Sequence, residues 1–284
     1  MTQSKTKPAE TKSAETKSAE TKTSMPDLPD GLHLSFDGAI AEVTLERGDG
    51  RNPLSAAIME GLRDVARWLK TDIDHHVVLL TGAPVFSAGA DLKDPAMRTD
   101  HLPRMEQRQK LLLGPDMCAA WEALEQVTIC AIEGYCLGGG LAIALSCDWR
   151  VCADNALLSL PEVPLGINMS WQANPRITAL VGPARAKQLV ILGENLDPKR
   201  ALDWGLVDEV TAPGEALAAA RRLAAKTAAL PPLPVRMSKQ AINAHAHALN
   251  YASSYMDREQ YALLTGSEEN KAAIRAFFDR KKSS

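Results

Sequence analysis

The sequence predicts an α/β domain of parallel strands alternating with helices. Three observations carry this. Residues 77–81 (Val-Val-Leu-Leu-Thr) and 128–132 (Thr-Ile-Cys-Ala-Ile) are apolar runs of strand length. Each is followed by a turn of small residues and then a helix start. Ahead of the first run, Ser55 opens a helical period that puts Ile58, Leu62, Val65 and Leu69 on one face. With 284 residues and 45% hydrophobic content, one sizeable core is expected. Aromatic residues make up only 5%, so that core must rest on Ala, Leu, Val and Ile.

Taken in order, the chain starts with a low-complexity arm. Ala-Glu-Thr-Lys recurs from Ala9, Ala14 and Ala19, with almost nothing apolar to bury. Residues 1–27 are therefore expected to be disordered, as a docking tail or as a tolerated extension. A core is expected over 28–215 and a helical region over 216–284. Residues 32–36 and 40–45 alternate in polarity across Asp37 and Gly38, which reads as a hairpin. Residues 94–109 are polar and read as a surface loop carrying Arg98, His101 and Arg104. Residues 111–124 read as a helix and 141–147 as a short buried one. A strand is expected over 149–153, and 157–160 are apolar. Helices follow over 184–192 and 198–204, a short strand over 206–210, then helices from 215 to 278.

Several functions are excluded or disfavoured. A net charge of −3 offers no global basic field for nucleic acid. No apolar run approaches the length of a membrane span, and no N-terminal stretch reads as a secretory signal. The five cysteines form no Cys-x-x-Cys pair and sit among apolar residues, where Cys acts as a small hydrophobe. No metal is expected, and a cytoplasmic location is. His245 and His247 are two apart, which places them on different helix faces rather than on one metal.

The chemistry starts from Gly138, Gly139 and Gly140, between an expected strand and an expected helix. Such glycines let backbone approach a ligand and leave N–H groups aimed at a helix start. They suit a phosphate, or the negative oxygen that develops on a reacting carbonyl. They equally suit close helix packing with no ligand. Neither a Gly-x-Gly-x-x-Gly fingerprint nor a P-loop is present, since Leu141 and Ala142 follow the last glycine. Residues 85–93 repeat the form after the earlier strand (Val-Phe-Ser-Ala-Gly-Ala-Asp-Leu-Lys). Two such turns can each aim one N–H at a shared oxygen.

This pair of turns resembles the two oxyanion-hole turns of the crotonase superfamily, the enoyl-CoA hydratase/isomerase family. The likeness continues through Cys147 and Asp148, Ala153 and Asp154, Pro161 and Glu162, Leu165 and Gly166, residues 181–186, residues 201–210, and Ala276 to the two phenylalanines after it. It implies a spiral of β-β-α turns with a C-terminal helical trimerisation region, and a homotrimer or homohexamer. It implies an acyl-CoA thioester as substrate, with coenzyme A as part of that substrate and no permanent cofactor. The N–H groups of Ala90 and Gly139 would hold the thioester oxygen. Ser87, Ala88, Asp91, Leu92 and Lys93 would meet substrate, the CoA part among them, and Tyr135 and Gly138 are counted with them. Trp171 stands where many members carry a glycine-rich loop, and it reads as an acyl-pocket residue or a core residue. Lys281 and Lys282 lie near the family's CoA-phosphate contacts or form a solvated end. Asp148 and Arg150 correspond to structural positions.

Glu162 follows an apolar run and is flanked by Pro161 and Pro164, which restrain the backbone. By itself it reads as a surface glutamate. Through the resemblance it becomes the catalytic acid–base group, and a rim position in an apolar pocket would raise its pKa. Family hydratases carry a second glutamate two residues after the glycine triplet, where this chain has Ala142. The expected reaction is therefore double-bond isomerisation of an enoyl-CoA by a single carboxylate. The alternatives are a hydratase or acyl-CoA hydrolase using Glu162 and a bound water, with Asp116 or Glu122 as a possible replacement acid. An acyl-CoA-binding protein without efficient chemistry is the reading from another class.

Overall fold

A computed structural model describes residues 24–282. Residues 1–23 of the arm expected over 1–27, the repeat included, lie outside the described residues, as do the side chains of Phe278, Arg280, Lys281 and Lys282. The chain enters through a hairpin of β1 (Leu32–Asp37) and β2 (Ile40–Leu45), followed by α1 (Ala56–Lys70) and β3 (Val77–Gly82). Ser55 caps α1 by accepting from Ile58 N–H, as its position predicts. The polar segment expected as a loop is partly helical. Asp94 caps a 3-10 turn at Pro95–Met97, and α2 (Arg104–Lys110) follows. Then come α3 (Leu113–Glu122), β4 (Val127–Ile132), β5 (Tyr135–Leu137) and α4 (Gly139–Ala144). Thus α4 opens on the glycines themselves, two residues earlier than the sequence predicts.

Next are β6 (Trp149–Ala153) and β7 (Leu157–Ser159), followed by α5 (Ala173–Leu192). Helix α5 begins well ahead of the expected residue 184, because Gly182 (φ 78°, ψ 162°) interrupts it and hides its length in the sequence. After α6 (Pro198–Trp204), strand β8 (Glu209–Thr211) starts beyond the expected 206. Asp208 is held there by the Arg150 N–H and guanidinium, and pairing with β6 begins only after it. Five helices close the chain: α7 (Ala216–Ala228), α8 (Pro232–Ala246), α9 (Asn250–Ser254), α10 (Asp257–Leu264) and α11 (Glu268–Lys282).

The main sheet has the order β1-β2-β3-β4-β6-β8. Only β1 and β2 are antiparallel. Beside it, β5 and β7 pair in parallel, and isolated bridges at Leu54–Ala90, Ser87–Cys136 and Leu158–Leu196 extend this second layer. Each turn of the chain thus adds to both layers, which is the expected spiral. Strands β3 and β4 are buried on both faces. Val78, Leu80, Cys130 and Ile132 enter the core that α1 and α3 cover, while Val77, Leu79, Ile129 and Ala131 pack on alanines of α7. The C-terminal region therefore begins with a helix that belongs to the sheet by packing. Arg150 is buried and donates to Leu206 and Cys147 carbonyls, while Asp148 pairs with Lys239, so both are structural.

Candidate active site

Because β3 and β4 are adjacent and parallel, the turns that leave them emerge at one sheet edge. The first turn is tied down at nearly every amide. Ser87 N–H donates to Tyr135, Ala88 N–H to Arg51 and Asp91 N–H to Leu54. Gly89 N–H donates to Ser87 Oγ, which itself donates to the Asn52 carbonyl. Asn52 is buried, and its Nδ2 donates to the carbonyls of Leu45, Ala83 and Val85. In the second turn, Leu137 N–H returns to Ser87 and Gly138 N–H goes to Ser159. Gly139 is the first residue of α4, outside its hydrogen-bond ladder. Among the described residues, the N–H groups of Ala90 and Gly139 have no partner.

The two turns touch. A Cβ built on Gly89 would lie 2.5 Å from the Leu137 oxygen and 3.4 Å from Gly139 N. Gly89 also holds φ +88°, so both space and conformation require glycine. A Cβ on Gly138 would lie 2.7 Å from Glu162 Oε1. The carboxylate thus rests directly against the second turn. Glu162 does not end a strand. It sits past β7 and caps a 3-10 turn at Val163–Leu165, with its carbonyl accepting from Leu165 and Ile167. Although the residue is half-buried, Oε2 is shielded and has no partner among the described residues. Burial raises the Glu162 pKa to about 7.

These groups line one cavity of about 410 Å³. Of the predicted residues, it gathers Ala88, Ala90, Leu92, Gly138, Gly139, Glu162 and Trp171. Ser87, Asp91, Lys93 and Tyr135 lie outside its lining. Ser87 is fully buried and holds the turn. Asp91 is bound by Arg47 at 2.9 Å; burial opposes this, but the Arg47 hydrogen bond keeps the carboxyl below its usual range. Lys93 is exposed. Arg98, His101 and Arg104 are also outside the lining, with Arg104 donating to Gln107.

Ala142 is fully buried and does not reach the cavity. Of the two acids weighed as its replacement, Asp116 lines the cavity and Glu122 does not. Arg176 grips Glu122 with two hydrogen bonds of 2.8 and 3.0 Å. Sequence reasoning missed Tyr261 and Arg258, which α10 brings into the lining. Burial pushes the Tyr261 phenol up, and the nearby Glu162 charge adds to this. Neither residue stands in a local motif. Among the described residues, no group of His, Cys, Asp and Glu is built to hold a metal, and no helix is long and apolar enough to cross a membrane.

A family model described as enoyl-CoA hydratase/isomerase matches residues 35–284. The chain is 33% identical over 251 residues to a short-chain-enoyl-CoA hydratase from Clostridium acetobutylicum, covering 88% of this chain and 95% of that one. It is 32% identical over 240 residues to a 2,3-dehydroadipyl-CoA hydratase from Escherichia coli, covering 84% and 92%. An enoyl-CoA hydratase structure from Mycobacterium avium subsp. paratuberculosis superposes with a TM-score of 0.79 at 27% identity, covering 89% of this chain and 97% of that one.

Proposed function

The chain belongs to the enoyl-CoA hydratase/isomerase family, and on that premise we propose that it moves a double bond within an enoyl-CoA thioester, with Glu162 as its one acid–base group. The observation that carries this reading is a buried carboxylate with a pKa near 7, set against a turn that offers a free N–H. The thioester oxygen accepts from Ala90 and Gly139. Each donor contributes about 3–4 kcal/mol to the enolate, the scale seen on removing one such donor. Glu162 takes a proton from Cα of a 3-enoyl thioester, and the electron pair moves into the thioester to give a dienolate. The same carboxyl then returns the proton to Cγ, leaving the double bond between Cα and Cβ. No atom is gained or lost.

Leu92 lines the cavity and Lys93 lies exposed beside it, which suits the CoA end of the substrate. The exposed Leu233, Met237, Ile242 and Leu249 give the C-terminal helices an apolar surface for self-assembly. Light scattering on the full chain tests that part.

Hydration is the second reading. Relatives named as hydratases favour it. It requires a water and a partner for Glu162, and Asp116 is an acid in the same cavity. Incubating the protein with a 3-enoyl-CoA and, separately, with a 2-enoyl-CoA in deuterated water, followed by NMR, separates the two. Isomerisation gives a 2-enoyl product, with solvent deuterium entering at Cγ of the product and at Cα of the substrate on reversal as the Glu162 carboxyl exchanges with water, all lost in Glu162→Gln. A 3-hydroxyacyl product from the 2-enoyl-CoA, with no double-bond migration of the 3-enoyl-CoA, supports hydration, and full turnover by Glu162→Gln overturns both.

A further inference from the structure

The Trp171 indole bridges two helices that flank the cavity. A Cβ on Gly114 of α3 would lie 2.1 Å from its Cε2 and 2.3 Å from its Nε1. A Cβ on Gly139 of α4 would lie 2.3 Å from its Cζ3 and 2.6 Å from its Cη2. The ring therefore fills the gap from α3 to α4 with its six-membered end on the glycine that carries a free N–H. Gly139 and Ala142 are three apart on α4 and share a face. The ring lies against that face at Gly139, and Ala142, one turn on, is fully buried and outside the cavity lining.

Its placement is built. Trp171 and Gln172 hold φ of +59° and +58°, a conformation uncommon for residues other than glycine. Arg176, 2% exposed, donates to the carbonyls of Trp171 at 2.9 Å and Gln172 at 3.1 Å. Glu122 anchors Arg176 from behind, and Asp257 accepts from Gln172 N–H at 3.0 Å. Two acids and a guanidinium thus hold the loop that presents the ring.

We infer that Trp171 is a specificity-determining residue that limits the substrate to acyl chains unbranched next to the thioester, with Arg176 and Glu122 as its positioning residues. The identity of the ligand as an acyl-CoA rests on the reading above. A thioester oxygen at Ala90 and Gly139 has Glu162 on the Gly138 side and the flat ring against Gly139. A methyl branch on the ring side has nowhere to go, because the Gly139 face is already in contact with carbon.

Binding tests this without turnover. Dissociation constants for butyryl-CoA and 2-methylbutyryl-CoA are measured by calorimetry on wild type, Trp171→Ala and Trp171→Leu, each checked for folding by circular dichroism. Wild type should prefer the unbranched thioester by about tenfold or more, the scale of one methyl group in a tight pocket. In Trp171→Ala the ratio should fall to about twofold or less, with Trp171→Leu between them. Trp171→Leu reads the ratio if the alanine variant does not fold. Equal binding of both thioesters by wild type, or an unchanged ratio in the folded variants, overturns the inference. Glu122→Gln should lower the same ratio, a shift that a purely structural role would not produce. Discrimination by wild type without Cα exchange in the NMR experiment would remove the enolate chemistry and leave this inference standing.

Discussion

Glu162 and Glu122 are two glutamates shielded in one fold, and they behave oppositely. Glu162 has no cationic partner among the described residues, and burial raises its pKa to about 7. Glu122 is also penalised by burial, but the hydrogen bond and charge of Arg176 outweigh that penalty and hold its pKa below the usual range. The difference shows that burial by itself does not make a base. A shielded carboxylate without a counter-charge can exchange a proton near neutral pH, whereas one gripped by guanidinium stays charged and serves as a clamp.

The strongest way to break this comparison is Glu162→Gln. Loss of an acid–base group should lower Cα exchange by roughly 10²–10⁴-fold, read by NMR. In wild type the rate of exchange should rise with pH through about 7 and then level, because the base works deprotonated. A flat profile would deny Glu162 that role.

Next in size is the clamp. Arg176→Met should destabilise the fold by about 3 kcal/mol in denaturant unfolding, because Glu122 loses its bidentate partner and keeps only the longer His247 and Asn250 contacts. The double variant with Glu122→Gln should recover much of the loss. No recovery would mean that Arg176 matters for the Trp171 loop rather than for charge pairing.

The third test uses pH. A folded pKa of about 7, above the ordinary 4.5, favours the folded state while Glu162 is protonated. That stability is fully present below about 4.5 and is lost as pH rises through about 7, a change of roughly 3 kcal/mol. Glu162→Gln should therefore be more stable than wild type at pH 8 and similar to it at pH 4.5. Glu122 carries the opposite sign, since its contribution is lost as pH falls through its lowered pKa. The smallest effect is His247→Ala, which removes the 3.2 Å outer contact to Glu122. About 1 kcal/mol or less is expected from thermal unfolding.

The sequence alone determined most strands of the main sheet and the two small-residue turns, whereas Glu162 stood out only through the family resemblance. These are local signals: apolar runs such as 77–81 and 128–132 mark strands, and the glycines mark where backbone must come close. The sequence also places Ala142 where the resemblance leads one to expect a second carboxylate. Helix ends were less legible, because Gly182 breaks α5 in the middle and Asp208 delays β8. Only the tertiary structure decided which acids face the cavity. Asp116 and Glu122 lie on one short helix, yet one lines the cavity and the other answers Arg176 from α5. Tyr261 reaches the cavity from α10, far along the chain. The placement of Trp171 likewise came from glycines on two other helices and a distant arginine. Such contacts join residues remote in sequence, and no periodicity along the chain encodes them.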